Sequence, residues 1–189
     1  MENPGISARS RILTPTRPVR TCVERWMAEP LYTAEPLYNV AVAIVVRDYK
    51  PADFESLWRM DQECFPPGIS YSKQELRSFM RDRGTFTLVA TSAKEELQGF
   101  IVAHCGATGH VVTIDVGPHA RRSGVGSLLL RTAEERMRAA GCRAVGLETA
   151  VDNVPALSFY KRQGYDVIRT WPRYYSNGVD ALVLEKDLS

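Results

Sequence analysis

Val125, Leu129, Ala133, Met137 and Ala140 recur every three to four residues, which places them on one stripe of a helix, and Gly141 ends the run. Just ahead of that helix, Val111, Val112 and Ile114 with Thr113 and Asp115 read as a strand. The same two periods continue on either side. They predict strands over 42–47, 85–91, 97–105, 110–116, 145–151, 166–170 and 181–186, with 85–91 and 97–105 joined as a hairpin around Lys94-Glu95-Glu96. Helices are predicted over 53–63, 72–82 and 156–163 besides the long one. Ser72 with Glu75 reads as a capping box, and the short helix has Asn153 as N-cap, Pro155 in its first turn and Gly164 past its end. Strands interleaved with helices in this order predict an α/β domain, a mixed sheet with helices on both faces.

A chain of 189 residues with 44% hydrophobic and 24% charged positions can bury one core and reads as one domain. Residues 1–39 stand apart. Arg9, Arg11, Arg17, Arg20 and Arg25 lie among Ser, Thr and Pro, and Ala28-Glu29-Pro30-Leu31-Tyr32 recurs as Ala34-Glu35-Pro36-Leu37-Tyr38. Two five-residue copies cannot build a repeat architecture, so the segment is read as an extended arm preceding a domain over 40–189. Its composition allows an organelle transit peptide, a bacterial tail is the plainer reading, and Met27 is an alternative start.

A net charge of +2 gives no footprint for nucleic acid or an anionic membrane surface, and the longest apolar run, Val40 to Val46, is far short of the roughly 20 residues a bilayer demands. Cys22, Cys64, Cys105 and Cys142 are scattered without a C-x-x-C pair, which points to reduced thiols, no zinc site and a cytoplasmic setting. His104, His110 and His119 have no metal-ligand spacing and read as ordinary strand or loop residues.

The loop between the 110–116 strand and the long helix carries the chemistry. Backbone N–H groups at a helix N-terminus have no intrahelical partner and the macrodipole there is positive, so an anion is favoured. Gly124 and Gly126 let the backbone approach it, and Arg121 and Arg122 add charge at the rim. The spacing is neither G-x-G-x-x-G nor the lysine-bearing loop of nucleotide hydrolases. Arg121-x-x-Gly124-x-Gly126 resembles the R/Q-x-x-G-x-G/A loop of the Gcn5-related N-acetyltransferases (GNAT). Downstream, Leu147-Glu148-Thr149 through Asn153, Ala156, Phe159-Tyr160 and Gly164-Tyr165 resembles the L-E-V-R-x-x-N-x-x-A-x-x-[LF]-Y-x-x-x-G-F segment of the RimI-like subgroup, which acetylates protein N-termini. Tyr174-Tyr175 matches that subgroup's tyrosine pair, and Phe65-Pro66 with Tyr71-Ser72 its F-P-x-[WY]-S loop. The resemblance covers about residues 41–189.

It implies the GNAT fold, a mixed and mostly antiparallel sheet of six to seven strands. It also implies acetyl-coenzyme A as cosubstrate, direct acetyl transfer to a primary amine, and no metal. By resemblance, backbone groups of Ile114 and Val116 hold the pantetheine arm, Arg122, Ser123, Gly124, Val125, Gly126 and Ser127 hold the pyrophosphate, and Asn153 bonds the cofactor. Phe65, Pro66, Tyr71, Tyr174 and Tyr175 would form the acceptor slot, narrow enough to favour alanine or serine first. An amine must lose a proton to attack, and Glu148 near its strand end is the candidate base. Tyr160 is the candidate acid for the departing thiolate, since a phenol donates readily. Asp115 stands where the subgroup more usually has a small apolar residue, which suggests a second carboxylate in proton removal or an altered substrate pocket. A lysine or small amine is the alternative acceptor, and a non-catalytic acetyl-coenzyme A-binding module the alternative of another class. Oligomeric state is not legible.

Overall fold

The computed structural model describes residues 43–65, 70–175 and 177–189. The arm expected over 1–39, the domain's expected start at Val40, and Pro66 lie outside them. Among the described residues, strands β1 (Val45–Asp48), β2 (Thr85–Thr91), β3 (Leu97–Cys105), β4 (Gly109–Val116), β5 (Ala144–Ala150), β6 (Asp166–Trp171) and β7 (Ala181–Asp187) form one sheet in the order β1-β2-β3-β4-β5-β7-β6. Helices α1 (Phe54–Cys64) and α2 (Lys73–Arg81) pack on one face, and α3 (Val125–Ala139) and α4 (Val154–Arg162) on the other. Strand alternation divides the core accordingly: Phe100 and Val102 join Leu57, Met60 and Leu76, whereas Ile101 and Ala103 join Leu129, Met137 and Tyr160.

The local signals act as their chemistry requires. Ser72 Oγ accepts the Glu75 N–H at 3.2 Å while the Glu75 carboxylate accepts the Ser72 N–H at 2.8 Å, and Asn153 Oδ1 caps α4 by accepting the Ala156 N–H at 3.2 Å. Helix α3 ends with Gly141 N–H on Arg138 O and Cys142 N–H on Met137 O, and α4 repeats the arrangement with Gly164 and Tyr165. One expected element is shorter: the strand predicted over 42–47 begins at Val45, because Val45 lies opposite Thr91, where its partner β2 ends.

Two irregularities shape the centre of the sheet. In the first, Val102 lies opposite Thr113 and Ala103 opposite Val111, leaving Val112 as an extra residue in β4. Such a bulge turns every later side chain to the opposite face, so Asp115, opposite Phe100, lies on the α1 side of the sheet with His110. The second is the β4–β5 junction, parallel where every other pairing is antiparallel, and confined to Gly109 with Val145 and His110 with Gly146. Past those pairs β4 follows β3 and β5 follows β7, so the two strands diverge as a wedge towards their C-terminal ends.

Helix α3 lies close over β3 because Gly99 has no side chain. A Cβ there would come within 2.7 Å of the Asp115 carbonyl oxygen, 3.1 Å of Leu129 Cδ1 and 3.2 Å of Val125 Cγ1. Gly99→Ala is therefore expected to destabilise the fold by about 1–3 kcal/mol, as overpacking against backbone does. Denaturant unfolding measures it, and an unchanged midpoint would refute the close packing.

Candidate active site

The loop from β4 to α3 opens on a cleft of about 660 Å³ lined by Val116, Arg121, Arg122, Gly124, Gly126 and Ser127, and on the far side by Pro155, Ser158, Phe159 and Arg162 of α4. Gly124 is the N-cap of α3 with φ of +90°, a left-handed conformation that glycine adopts without strain. Arg122 holds φ of +64° in the same turn. Gly126 serves differently: a Cβ there would stand 3.4 Å from Val116 Cγ2 and 3.6 Å from Phe159, so the missing side chain leaves room in the cleft. The free N–H groups of the first turn and the guanidinium of Arg122 make this wall suited to a phosphate.

The side chains of the loop are engaged in different ways. Val125 and Ile114 are core residues, Ser123 Oγ closes the turn by donating to Ala120 O at 2.6 Å, and Ser127 Oγ accepts from Gln163 at 3.0 Å. Arg121 was expected at the rim and is instead turned inward, its Nε donating to Val116 O at 3.2 Å and its Nη2 to Cys64 Sγ at 3.6 Å. The Cys64 thiol also donates to Val116 O, at 3.4 Å. That carbonyl is thus occupied twice.

Glu148 is buried on β5, and its Oε2 lies 2.9 Å from Nε2 of His110 on β4. His110, expected to be an ordinary strand residue, is the chief member of the site that sequence reasoning missed. The His110–Gly146 register places it two residues from Glu148 on the same face, and only the parallel pairing reveals this. Its ring is 23% exposed against 7% for the carboxylate, so the pair connects a buried acid to the surface. Pro155, Ser158, Phe159 and Arg162 were also missed, although their spacing of three, four and seven residues marks a single face of α4.

Tyr160 is fully buried, and its hydroxyl has no hydrogen-bond partner among the described residues. Burial, then the neighbouring Asp115 and then Tyr175, push its pKa well above that of an ordinary phenol, so it stays protonated. Asp115 is fully buried and accepts from Thr113 Oγ1 at 3.1 Å. Burial and then Asp115 push the Cys64 thiol up to about 12 against the opposing Arg121, which leaves no nucleophilic thiolate beside the cleft. Among the described residues, no group of three or more His, Cys, Asp or Glu could hold a metal ion, and no helix is long and apolar enough to cross a membrane.

The expected acceptor residues are placed unevenly. Phe65 and Tyr71 are not an exposed wall: both are buried in the core under α1 and α2, Tyr71 edge-on to Phe79 at 5.2 Å. Tyr71's backbone is clamped by α1, its N–H donating to Asp61 at 2.7 Å and its carbonyl accepting from Trp58 and Gln62. Tyr174 is half-buried between Trp171 at 5.4 Å and Tyr175 at 5.1 Å, and Tyr175 is buried.

A cleft at the N-terminus of α3 stands beside a sheet that parts between β4 and β5. The model of the acetyltransferase (GNAT) family matches residues 54–165, and the chain belongs to that family. It is 32% identical over 117 residues to N-alpha-acetyltransferase 30 of Schizosaccharomyces pombe, covering 59% of this chain and 77% of that protein. Among solved structures it is similar to Ard1 from Thermoplasma volcanium, with TM-score 0.71 and 29% identity over 77% of this chain and 98% of that one. The NatC complex bound to Gag peptide and CoA gives TM-score 0.68 at 25% identity, covering 77% and 99%. The ribosomal-protein-S18-alanine N-acetyltransferase of Escherichia coli shares the fold at TM-score 0.70 and 18% identity, covering 78% and 95%.

Gly126→Val would put two further methyl groups into the cleft. The variant is expected to fold and to bind coenzyme A at least tenfold more weakly, about 1.4 kcal/mol. Calorimetric titration measures this, and unchanged affinity would remove the loop from the site.

Proposed function

We propose that this protein transfers the acetyl group of acetyl-coenzyme A to the N-terminal α-amine of a protein or peptide. The observation that carries the reading is the Glu148–His110 pair at 2.9 Å, set where β4 and β5 begin to part. The N-alpha-acetyltransferase relatives support it.

The residues present fit the cosubstrate. Arg122, Gly124, Gly126 and Ser127 would hold its pyrophosphate at the α3 N-terminus, and the Val116 backbone would hold its pantetheine arm. Asn153, whose Oδ1 is committed to capping α4, has its amide N–H groups for a further bond. The orphaned Tyr160 hydroxyl is a buried donor suited to a sulfur anion. Acetyl-coenzyme A supplies the acetyl group as a thioester when bound.

Glu148 takes the proton from the attacking amine. In the tautomer that protonates Nε2, His110 donates to Glu148 and presents Nδ1 as a second acceptor nearer the surface, which gives the proton a way out. Tyr160, kept neutral by its surroundings, donates a hydrogen bond to the departing sulfur. Asp115, beside Tyr160, is a second carboxyl group close to the proposed site of reaction. No cysteine takes part, in keeping with the raised Cys64 pKa.

Energetics select among acceptors. At pH 7 freeing an α-amine costs about 1 kcal/mol, whereas a lysine costs about 4 to 5. One carboxylate with an imidazole suits the smaller cost. Tyr174 and Tyr175 would then contact the first residues of the peptide. A cytoplasmic setting belongs to the same reading and is supported by the scattered cysteines.

Glu148→Gln keeps the shape and removes the base, so turnover should fall by roughly 10² or more with coenzyme A affinity unchanged, and Tyr160→Phe should lower turnover by a similar order. Rates unaffected in both variants, under conditions where chemistry limits, would reject these roles. For the acceptor, a lysine-free peptide with a free N-terminus should be labelled faster than an N-terminally blocked peptide with a free lysine, at pH 7 and at pH 9. Mass spectrometry reads the acetyl group, and faster labelling of the blocked peptide at both pH values would favour a lysine or small amine.

A further inference from the structure

Cys105 is the last residue of β3, and Cys142 lies in the connection between α3 and β5. Thirty-seven residues apart in sequence, they meet at the closed end of the wedge. Cys142 is buried in the core cluster under α3, and Cys105 packs half-buried against that cluster. The Cys142 thiol lies 3.8 Å from the carbonyl oxygen of Gly106, the residue after Cys105. The Cys142 thiol is thus directed at the peptide group that follows Cys105.

Their position gives the contact its interest. Cys105 is the ladder partner of Gly109, and Gly109 and His110 form the two pairs that join β4 to β5. Cys142 stands two residues before β5 begins. A covalent link between them would tie together the segments leading into β4 and β5, immediately outside the junction that holds those strands.

We propose that Cys105 and Cys142 are a dithiol modification site that closes to a disulfide across the base of the β4–β5 wedge. The oxidant is a low-molecular-weight disulfide. One cysteine thiolate attacks it, forming a mixed disulfide and releasing one thiol. The second cysteine then displaces the other thiol, so the protein loses two hydrogens and the oxidant becomes two thiols. Both cysteines sit beside turns, Cys105 before Gly106 and Cys142 after Gly141, where small backbone shifts can bring the sulfurs to bonding distance. Burial, and then the neighbouring Cys142, hold the Cys105 thiol above its ordinary pKa, so Cys105 rests as the thiol. The proposal is independent of the acetyl acceptor and of Glu148.

The test uses the full chain incubated with excess oxidised glutathione, blocked with iodoacetamide and digested with trypsin without reduction. The expected product joins the peptide 95–121, which holds Cys105, to the peptide 139–143, which holds Cys142. Its mass is about 2 Da below the sum of the two reduced peptides, each with one thiol, and dithiothreitol separates them. The oxidised protein should melt several degrees higher, as closing a loop of this length predicts. Amide exchange should slow at Gly109–Val111 and Ala144–Leu147, while Cys105→Ser and Cys142→Ser each abolish the linked peptide. Stable glutathione adducts on Cys105 or Cys142, a cross-link through Cys22 or Cys64 instead, or alkylation of both thiols with no bond formed would overturn the proposal. The wild-type peptide map decides this even where a serine variant fails to fold.

Discussion

Everything chemical in this protein depends on how little β4 and β5 hold each other. Two residue pairs join them, and each then follows a different neighbour, β3 on one side and β7 on the other. Parallel strands give no tight hairpin between them, so the chain makes the crossover through α3. The crossover starts at the open end of the wedge, which puts the N-terminus of α3, with its free N–H groups, beside the gap. The anion cleft and the parting strands are thus two results of one connection.

The bulge at Val112 is the second constraint. Without the extra residue, Asp115 would point towards α3 and Ile114 towards α1, exchanging a carboxylate for an apolar side chain in the core. With it, one continuous strand presents His110 and Asp115 on one face and Val111 and Ile114 on the other. Close packing above Gly99 then fixes α3 over the strand from the opposite side. The site is rigid because the core on both faces holds the backbone that carries it.

Much of this was legible in the residues. The stripe of Val125, Leu129, Ala133 and Met137 gave α3, and Ser72 with Glu75 and Asn153 with Pro155 marked two helix starts within two residues. The strand-to-helix loop before α3 and the places of Glu148 on β5 and Tyr160 on α4 were also legible, because motif spacing within one element survives folding. What escaped notice depended on relations between elements. The partner of His110 follows from a parallel register that no local pattern encodes. The burial of Phe65 and Tyr71 follows from α1 and α2 closing over them, and the inward turn of Arg121 from two acceptors, Val116 O and Cys64, that only tertiary contact supplies. The late start of β1 was likewise decided by its partner's length.

The cleft and the Glu148–His110 pair lie on opposite faces of the same sheet, the first under α3 and α4, the second on the side of α1 and α2. In the proposed reaction the two reactants therefore approach from different sides and meet only through the gap between the strands. Neither blocks the other's path, and neither must depart before the other arrives. Such a layout belongs to an enzyme that assembles a ternary complex, in which the sheet works as a partition with a single window and the order of arrival is set by affinity rather than by access.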